Sequence, residues 1–472
     1  MSIRVVLCVL LTLCFSVYAW RNYFVSLCAS ILLMAIMQHP DVLYTLKNIG
    51  GIQGLNLWNL LMANVTCAWL VRRRSEGLVW DMPRYIRNLL LAYLAVIVLS
   101  AVRFLFNDPD RYGFTFGDVI SENIINSIKW FIPCLILYDV CRTRRRVMVA
   151  LFVIVSLYFL LAAQVIKHVP LSYAVADNFD HLAYKLVQDS VGYNRVTLSM
   201  MLAGASWAML AMLPLVKTRL RKCAMLGAAG VVALGQALTG GRSGYMGWLA
   251  VGLILGVVRW RRMLLVIPAV VIAVCIFLPA VRDRMLMGMG VGNNTTDTYE
   301  MTSGRNIAWP YVIAKIKEGP IFGFGRNAMI TTGLYQRILY DTDDSESFPH
   351  PHNAYLEILL DCGLAGFFVV VPFYLMALRN GFRLFLDKSD LLCSAAGGVV
   401  CALLLALLVA AMGGETFYPR EGAAGMWAAI GVMLRVAVER NRAREENAPL
   451  FGETETSGEP PGLGVETFPI PA

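Results

Sequence analysis

Pro349-His350-Pro351-His352-Asn353-Ala354-Tyr355-Leu356-Glu357, continuing through Ile358-Leu359-Leu360-Asp361-Cys362-Gly363-Leu364-Ala365-Gly366, is the stretch on which the reading of this chain turns. A proline-flanked polar loop gives way there to a mostly apolar run from Ala354 to Leu378, long enough to cross a bilayer at ~1.5 Å per residue. His352 stands at the change, so an imidazole that titrates near neutral pH is expected where a loop meets hydrocarbon. A helix cap or an interfacial anchor would use the same position, and the surrounding sequence has to separate these roles.

Composition sets the class. Of 472 residues 58% are hydrophobic and 15% charged, and the mean hydropathy is +0.61. A soluble globular protein is excluded; the chain reads as an all-α polytopic integral membrane protein. The 11 cysteines fall almost entirely in apolar segments, so neither a disulfide framework nor a zinc-binding spacing is indicated. No metal or cofactor is expected.

Basic clusters then fix the topology. Apolar spans end at Arg72-Arg73-Arg74, at Arg142 to Arg146, at Lys217 to Lys222, at Arg259 to Arg262 and at Arg379 to Lys388, and alternating spans put all five on one side. The positive-inside rule makes that side cytoplasmic, together with the tail holding Arg435, Arg440, Arg442 and Arg444. The net charge of +9 is then a topology signal and not a sign of nucleic acid. Function belongs on the other face, which receives the connections 103–117, 167–194, 239–243, 282–353 and 413–421.

About twelve or thirteen spans result, depending on whether the two short amino-terminal runs on either side of Arg21 form a tight pair or one irregular helix. The organisation reads as amino-terminal spans over 1–281, a large outward loop over 282–353 carrying an amphipathic helix, carboxy-terminal spans over 354–437, and a disordered tail over 438–472.

Two outward arginine motifs accompany His352. Thr239-Gly240-Gly241-Arg242-Ser243-Gly244 is a turn too short to leave the membrane surface, so Arg242 must lie at the interface, and the glycines, Gly241 among them, would let an anion approach the backbone. Ser303-Gly304-Arg305-Asn306-Ile307-Ala308-Trp309 opens the loop helix, with Ser303 as its N-cap and Arg305 adding charge to a terminus that already favours an anion. Arg195, at the start of a span, and Lys129, seven residues after Glu122, are further candidates for binding a charged substrate, as are Glu415 and Arg420. The structural alternatives are lipid anchors and internal ion pairs. The acidic run Asp341 to Glu346 reads as solvated rather than as a metal site.

Guanidinium groups bind pyrophosphate by charge-assisted hydrogen bonds, and an imidazole can take a proton from a hydroxyl. A lipid-linked phosphate compound presented at the outer surface is the substrate class this suggests. His352-Asn353, nine residues, then Gly363-Leu364-Ala365-Gly366 resembles the signature of bacterial O-antigen ligases and their ligase/polymerase superfamily, and the two arginine motifs resemble theirs, over residues 220–435. The resemblance implies a GT-C-like membrane glycosyltransferase in the bacterial inner membrane. It would move a glycan from undecaprenyl pyrophosphate to lipid A–core oligosaccharide on the periplasmic face, without a metal or nucleotide sugar. Arg242 and Arg305 would hold the pyrophosphate, with Asn353, Ser303, Gly241, Arg195 and Lys129 in support, and His352 would serve as base. His350, between two prolines, is expected to matter less. Phe367 stands where the signature usually has Thr, Ile or Val after its last glycine, which keeps a polymerase in view, then a protein O-oligosaccharyltransferase. A lipid-linked glycan transporter would instead need cationic residues along a path through several spans.

Overall fold

The computed structural model describes residues 2–51, 54–175, 179–290, 296–342, 349–446 and 450–452, and every regular element among them is helical. Hydrocarbon offers no partner to a backbone N–H or C=O, and a helix satisfies both within one segment. The chain runs through α1 (Ile3–Ala19), α2 (Tyr23–Met37), α3 (Pro40–Leu46), α4 (Leu57–Ser75), α5 (Arg84–Leu105), α6 (Phe116–Val140, with a π-helical stretch at Val119–Ile125) and α7 (Arg144–His168). The short α8 (Phe179–Val191) precedes α9 (Arg195–Met212), α10 (Arg219–Leu238), α11 (Arg242–Val258), α12 (Met263–Phe277) and α13 (Pro279–Met285). The large loop carries α14 (Thr298–Thr302), α15 (Arg305–Glu318), α16 (Ala328–Thr331) and α17 (Leu334–Thr342). The last spans are α18 (Ala354–Phe385), α19 (Leu391–Ala410) and α20 (Ala424–Glu445).

Among the described residues seven helices (α5, α6, α7, α9, α18, α19, α20) are long and apolar enough to cross a membrane, or nine if each of the bent pairs α2–α3 and α12–α13 is one span. The two bends are 103° and 113°; α1 and α11 are apolar but shorter. About twelve or thirteen passes are expected from the sequence; α4 and α10, which carry basic residues within their helices, are not among those seven or nine. The amino terminus resolves as a tight pair: α1 and α2 turn at Trp20-Arg21-Asn22, and Ser26 Oγ donates to the Phe15 carbonyl at 2.8 Å. The tail begins later than the sequence suggested. Helix α20 continues to Glu445 because Arg435, wholly buried, pairs with Glu439 at 3.1 Å and Asp81 at 2.7 Å and so keeps this turn folded against the bundle. Positions 447–449 and 453–472 lie outside the described residues.

α9, α19 and α20 form the buried centre. Small residues let their backbones approach: a Cβ at Gly204 would stand 2.9 Å from the Ala402 carbonyl oxygen, and one at Gly431 would strike the Cys134 backbone. Dispersion over such contacts, rather than a hydrophobic drive, holds helices together in lipid. The basic clusters gather at one end of the bundle, through Arg144–Asp390 (2.7 Å), Arg440–Asp387 (2.7 Å) and Arg73–Asp139 (2.8 Å). The connections expected on the opposite side meet at the other end: Tyr112 donates to the Thr331 carbonyl at 2.9 Å, and Arg103 to the Gly323 carbonyl at 2.8 Å.

Candidate active site

Arg242 and Arg305 occupy equivalent local positions. Each is the first residue of its helix, α11 or α15, and each follows a glycine N-cap, Gly241 or Gly304, with no side chain to satisfy the free N–H groups. A helix start of this kind carries partial positive charge, and an arginine at its first position adds a full one. Ser303 is not the N-cap of α15 that the sequence suggested. It is the C-cap of α14 in the left-handed conformation (φ 52°), followed by Gly304 at φ 72°, and its Oγ accepts from Arg242 Nη2. The left-handed pair turns the chain between two short elements and ties one arginine to the residues just ahead of the other. The Asn306 N–H donates instead to Thr302 Oγ1.

Arg305 Nη2 donates to the Gly413 carbonyl at 3.0 Å, while its Nε is buried without a partner, as are Ser243 Oγ and Thr416 Oγ1. Among the described residues no carboxylate lies within ion-pair distance of Arg242 or Arg305, although most inward-facing arginines of the bundle have one. Burial, then the charge of Arg242, presses the Arg305 pKa down from its ordinary value. Two half-buried guanidinium groups that lack anions create a demand for one.

His352 lies one residue before the N-cap of α18. Its backbone is left-handed (φ 49°), an uncommon state for a residue with a Cβ and one concentrated at functional sites. Its ring packs against that of His350, centroids 3.9 Å apart at 55°, and His350 Nδ1 meets Glu415 Oε1 at 2.7 Å. His350, Glu415 and Arg305 line with His352 a cavity of about 320 Å³ closed by Thr197, Gly413, Thr416 and Arg420. His350 therefore shares the site. The sequence ranked it below His352 because it stands between two prolines and lacks the downstream glycine spacing, and its partner Glu415 is far away in the chain.

The glycines of the signature serve the backbone. Gly363 interrupts α18 with φ 63° and ψ −164°, a region open essentially to glycine alone. At this break the segment after α15 docks: Phe324 N–H donates to the Leu360 carbonyl (2.9 Å), Gly325 N–H to Asp361 (2.8 Å), and the Leu364 and Ala365 N–H groups to Pro320 (2.8 Å) and Ile321 (2.9 Å). A Cβ on Gly363 would stand 2.4 Å from the Ile321 backbone. Just beyond, Arg326 is buried between Glu357 and Asp361 (3.1 Å), its guanidinium 3.7 Å from the Tyr418 ring centroid. The break thus fixes the loop bearing Arg305 onto the helix that opens after His352.

Residues 225–371 match the family model described as O-Antigen ligase. Over this segment, about a third of the chain, the sequence is similar to that family. The match spans Arg242, Arg305, His352 and the broken-helix glycines, the residues that carried the resemblance, and the helices around it are those of a multi-pass membrane protein. No curated protein matches the chain.

Other sequence candidates take different places. Gly241 opens the backbone to Ser199 of α9 rather than to an anion: its carbonyl accepts from Ser199 Oγ at 3.0 Å, and Cβ atoms at Gly241 and Gly244 would collide with that side chain. Asn353 is the N-cap of α18, its Oδ1 taken by the N–H groups of Tyr355 (3.0 Å) and Leu356 (3.2 Å). Arg195 pairs with Asp180, whose Oδ1 also meets Arg284 Nε at 2.9 Å. Lys129 does not line the cavity; its Nζ donates to Asn126 Oδ1 at 2.6 Å and lies 4.7 Å from the Trp130 ring centroid. Nor does it meet Glu122 directly. Glu122 accepts from Asn126 at 2.8 Å and meets Arg420 at 3.5 Å, because the π-helical stretch shifts the face on which seven-residue neighbours fall.

Sequence reasoning missed Arg284 and Arg326, whose surroundings come from distant segments. Asp343 to Glu346 of the acidic run lie outside the described residues; within those described, no group of three His, Cys, Asp or Glu is arranged to hold a metal ion.

Burial, then His350 and Arg305, lowers the His352 pKa to about 4. The imidazole is neutral at physiological pH and has a lone pair to offer, but it is a weaker base than the near-neutral histidine anticipated from sequence.

Proposed function

We propose that this chain is an O-antigen ligase that moves a glycan from undecaprenyl pyrophosphate to a hydroxyl of lipid A–core oligosaccharide at the periplasmic face of the bacterial inner membrane, with its carboxy terminus in the cytoplasm. The observation that carries the reading is the pair of helix-opening arginines, free of carboxylates among the described residues, beside a cavity lined by His352. The pyrophosphate answers their unmet charge, and as the glycosidic bond breaks they take up the negative charge gathering on the leaving group, without need of a metal. An apolar cavity of about 530 Å³ between α9, α10, α11 and α12 reaches Val281 and Met285 on the short helix that bears Arg284, which suits the hydrocarbon chain of such a donor.

His352 takes the proton of the acceptor hydroxyl while the oxygen attacks the anomeric carbon. Direct displacement of this kind inverts the anomeric configuration. A polymerase would bind its donor in the same way and differ only in its acceptor, a second lipid-linked glycan. The lipopolysaccharide bands of a deletion strain separate the two: loss of a ligase removes every capped species, whereas loss of a polymerase leaves a single-repeat cap. Unchanged lipopolysaccharide would overturn both.

A further inference from the structure

We propose that Glu415, acting through His350, is a positioning residue for His352 that holds the imidazole pair in register with Arg305 and compensates the positive charge formed when His352 accepts the acceptor's proton. The inference rests on the transfer reading above and adds two residues to it. Glu415 lies outside the segment that matches the family, in the connection between α19 and α20.

The geometry begins with one short loop doing two jobs. Gly413 offers its carbonyl to Arg305 Nη2 at 3.0 Å, and two residues on Glu415 Oε1 meets His350 Nδ1 at 2.7 Å. A loop that grips both partners fixes the distance between the anion-holding group and the histidines. Glu415 holds the His350 ring at Nδ1, the nitrogen that also faces the His352 N–H at 3.4 Å, and so sets the orientation of that ring, against which His352 packs at 3.9 Å in its left-handed backbone state. The groups facing this pair are His352, Arg305, Arg326, Arg420 and Glu357, and Glu415 is the carboxylate in contact with His350.

In the transfer step the hydroxyl proton moves to a ring nitrogen of His352. The oxygen forms its bond to the anomeric carbon, and the electron pair of the breaking carbon–oxygen bond leaves on the pyrophosphate. A cation then stands beside Arg305 in a largely buried site, where a nearby negative charge has a larger effect than in water. Glu415 supplies that charge without touching the substrate.

Glu415→Gln keeps an acceptor for His350 and removes the charge. We expect kcat to fall about tenfold or more with KM for the lipid-linked donor and donor binding unchanged, Glu415→Asp to recover part of the loss, and His350→Gln to show the same split. Glu415→Gln in a His352→Ala background should cost nothing further, since no imidazolium then forms. Wild-type kcat in Glu415→Gln, a loss confined to KM, or loss of donor binding would overturn the proposal, the last by making the residue structural. Transfer that survives His352→Ala would sink the base reading itself, and the two failures are thereby told apart.

Discussion

His352 has to be neutral to act as a base, and the protein makes it so at the cost of basicity. Its pKa is lowered to about 4, so the working form persists as pH falls through the ordinary histidine range and is lost only as pH passes through that lower value. The acid limb of kcat/KM is therefore expected near pH 4 rather than near 6.5, measured with purified enzyme and lipid-linked donor; a limb at the higher value would mean that another group is the base. Replacement of His352 by Ala should reduce transfer by roughly 10² to 10⁴ while donor binding persists. The arginines invite a different substitution. Arg242→Lys and Arg305→Lys keep the charge but lose the planar fork, and each should lower transfer on the order of a hundredfold. Near-normal turnover in either would make that arginine a lipid anchor.

Among the elements, α18 joins the chemistry to the fold. The helix opens at the Asn353 cap, breaks at Gly363 and receives the 320–325 segment at the break, so the loop that carries Arg305 is registered to His352 by backbone hydrogen bonds. Gly363→Ala is expected to destabilise the protein by roughly 2–4 kcal/mol, from the backbone region and the collision with Ile321 together, and to lower activity along with it. Thermal unfolding in detergent reads the first effect, and an unchanged melting temperature would show that the helix can close over the break. The spacing from His352 to Gly363 was visible in the sequence, but its purpose was not, because the segment that fills the break comes from before the histidine. Gly241 and Gly244 teach the same lesson: their freedom serves Ser199, a residue from another helix.

For the whole molecule, the ion pairs at one end and the loop contacts at the other separate the basic clusters from the candidate site, as the alternation of charge along the chain required. A cysteine at Gln336, exposed on α17, should react with a membrane-impermeant thiol reagent in cells with a permeable outer membrane; one at Arg221, in a variant lacking Cys223, should not. Labelling with the sides reversed would move the site to the cytoplasmic face and remove the proposed donor from reach.

Hydropathy and charge are local quantities, so the sequence by itself determined the helical class, the grouping of the connections at two ends, and the first-turn place of Arg305, whereas Arg242, read as part of a turn, proved to open α11. The pairing of side chains depends on which segments the fold brings together. Tertiary structure alone decided that His350 meets Glu415, that Arg326 lies between Glu357 and Asp361, that Lys129 turns aside toward Trp130, and that His352 is depressed in pKa by burial and neighbouring charge. Each of these links residues or environments whose chain separation carries no signal, because desolvation and electrostatics act through space.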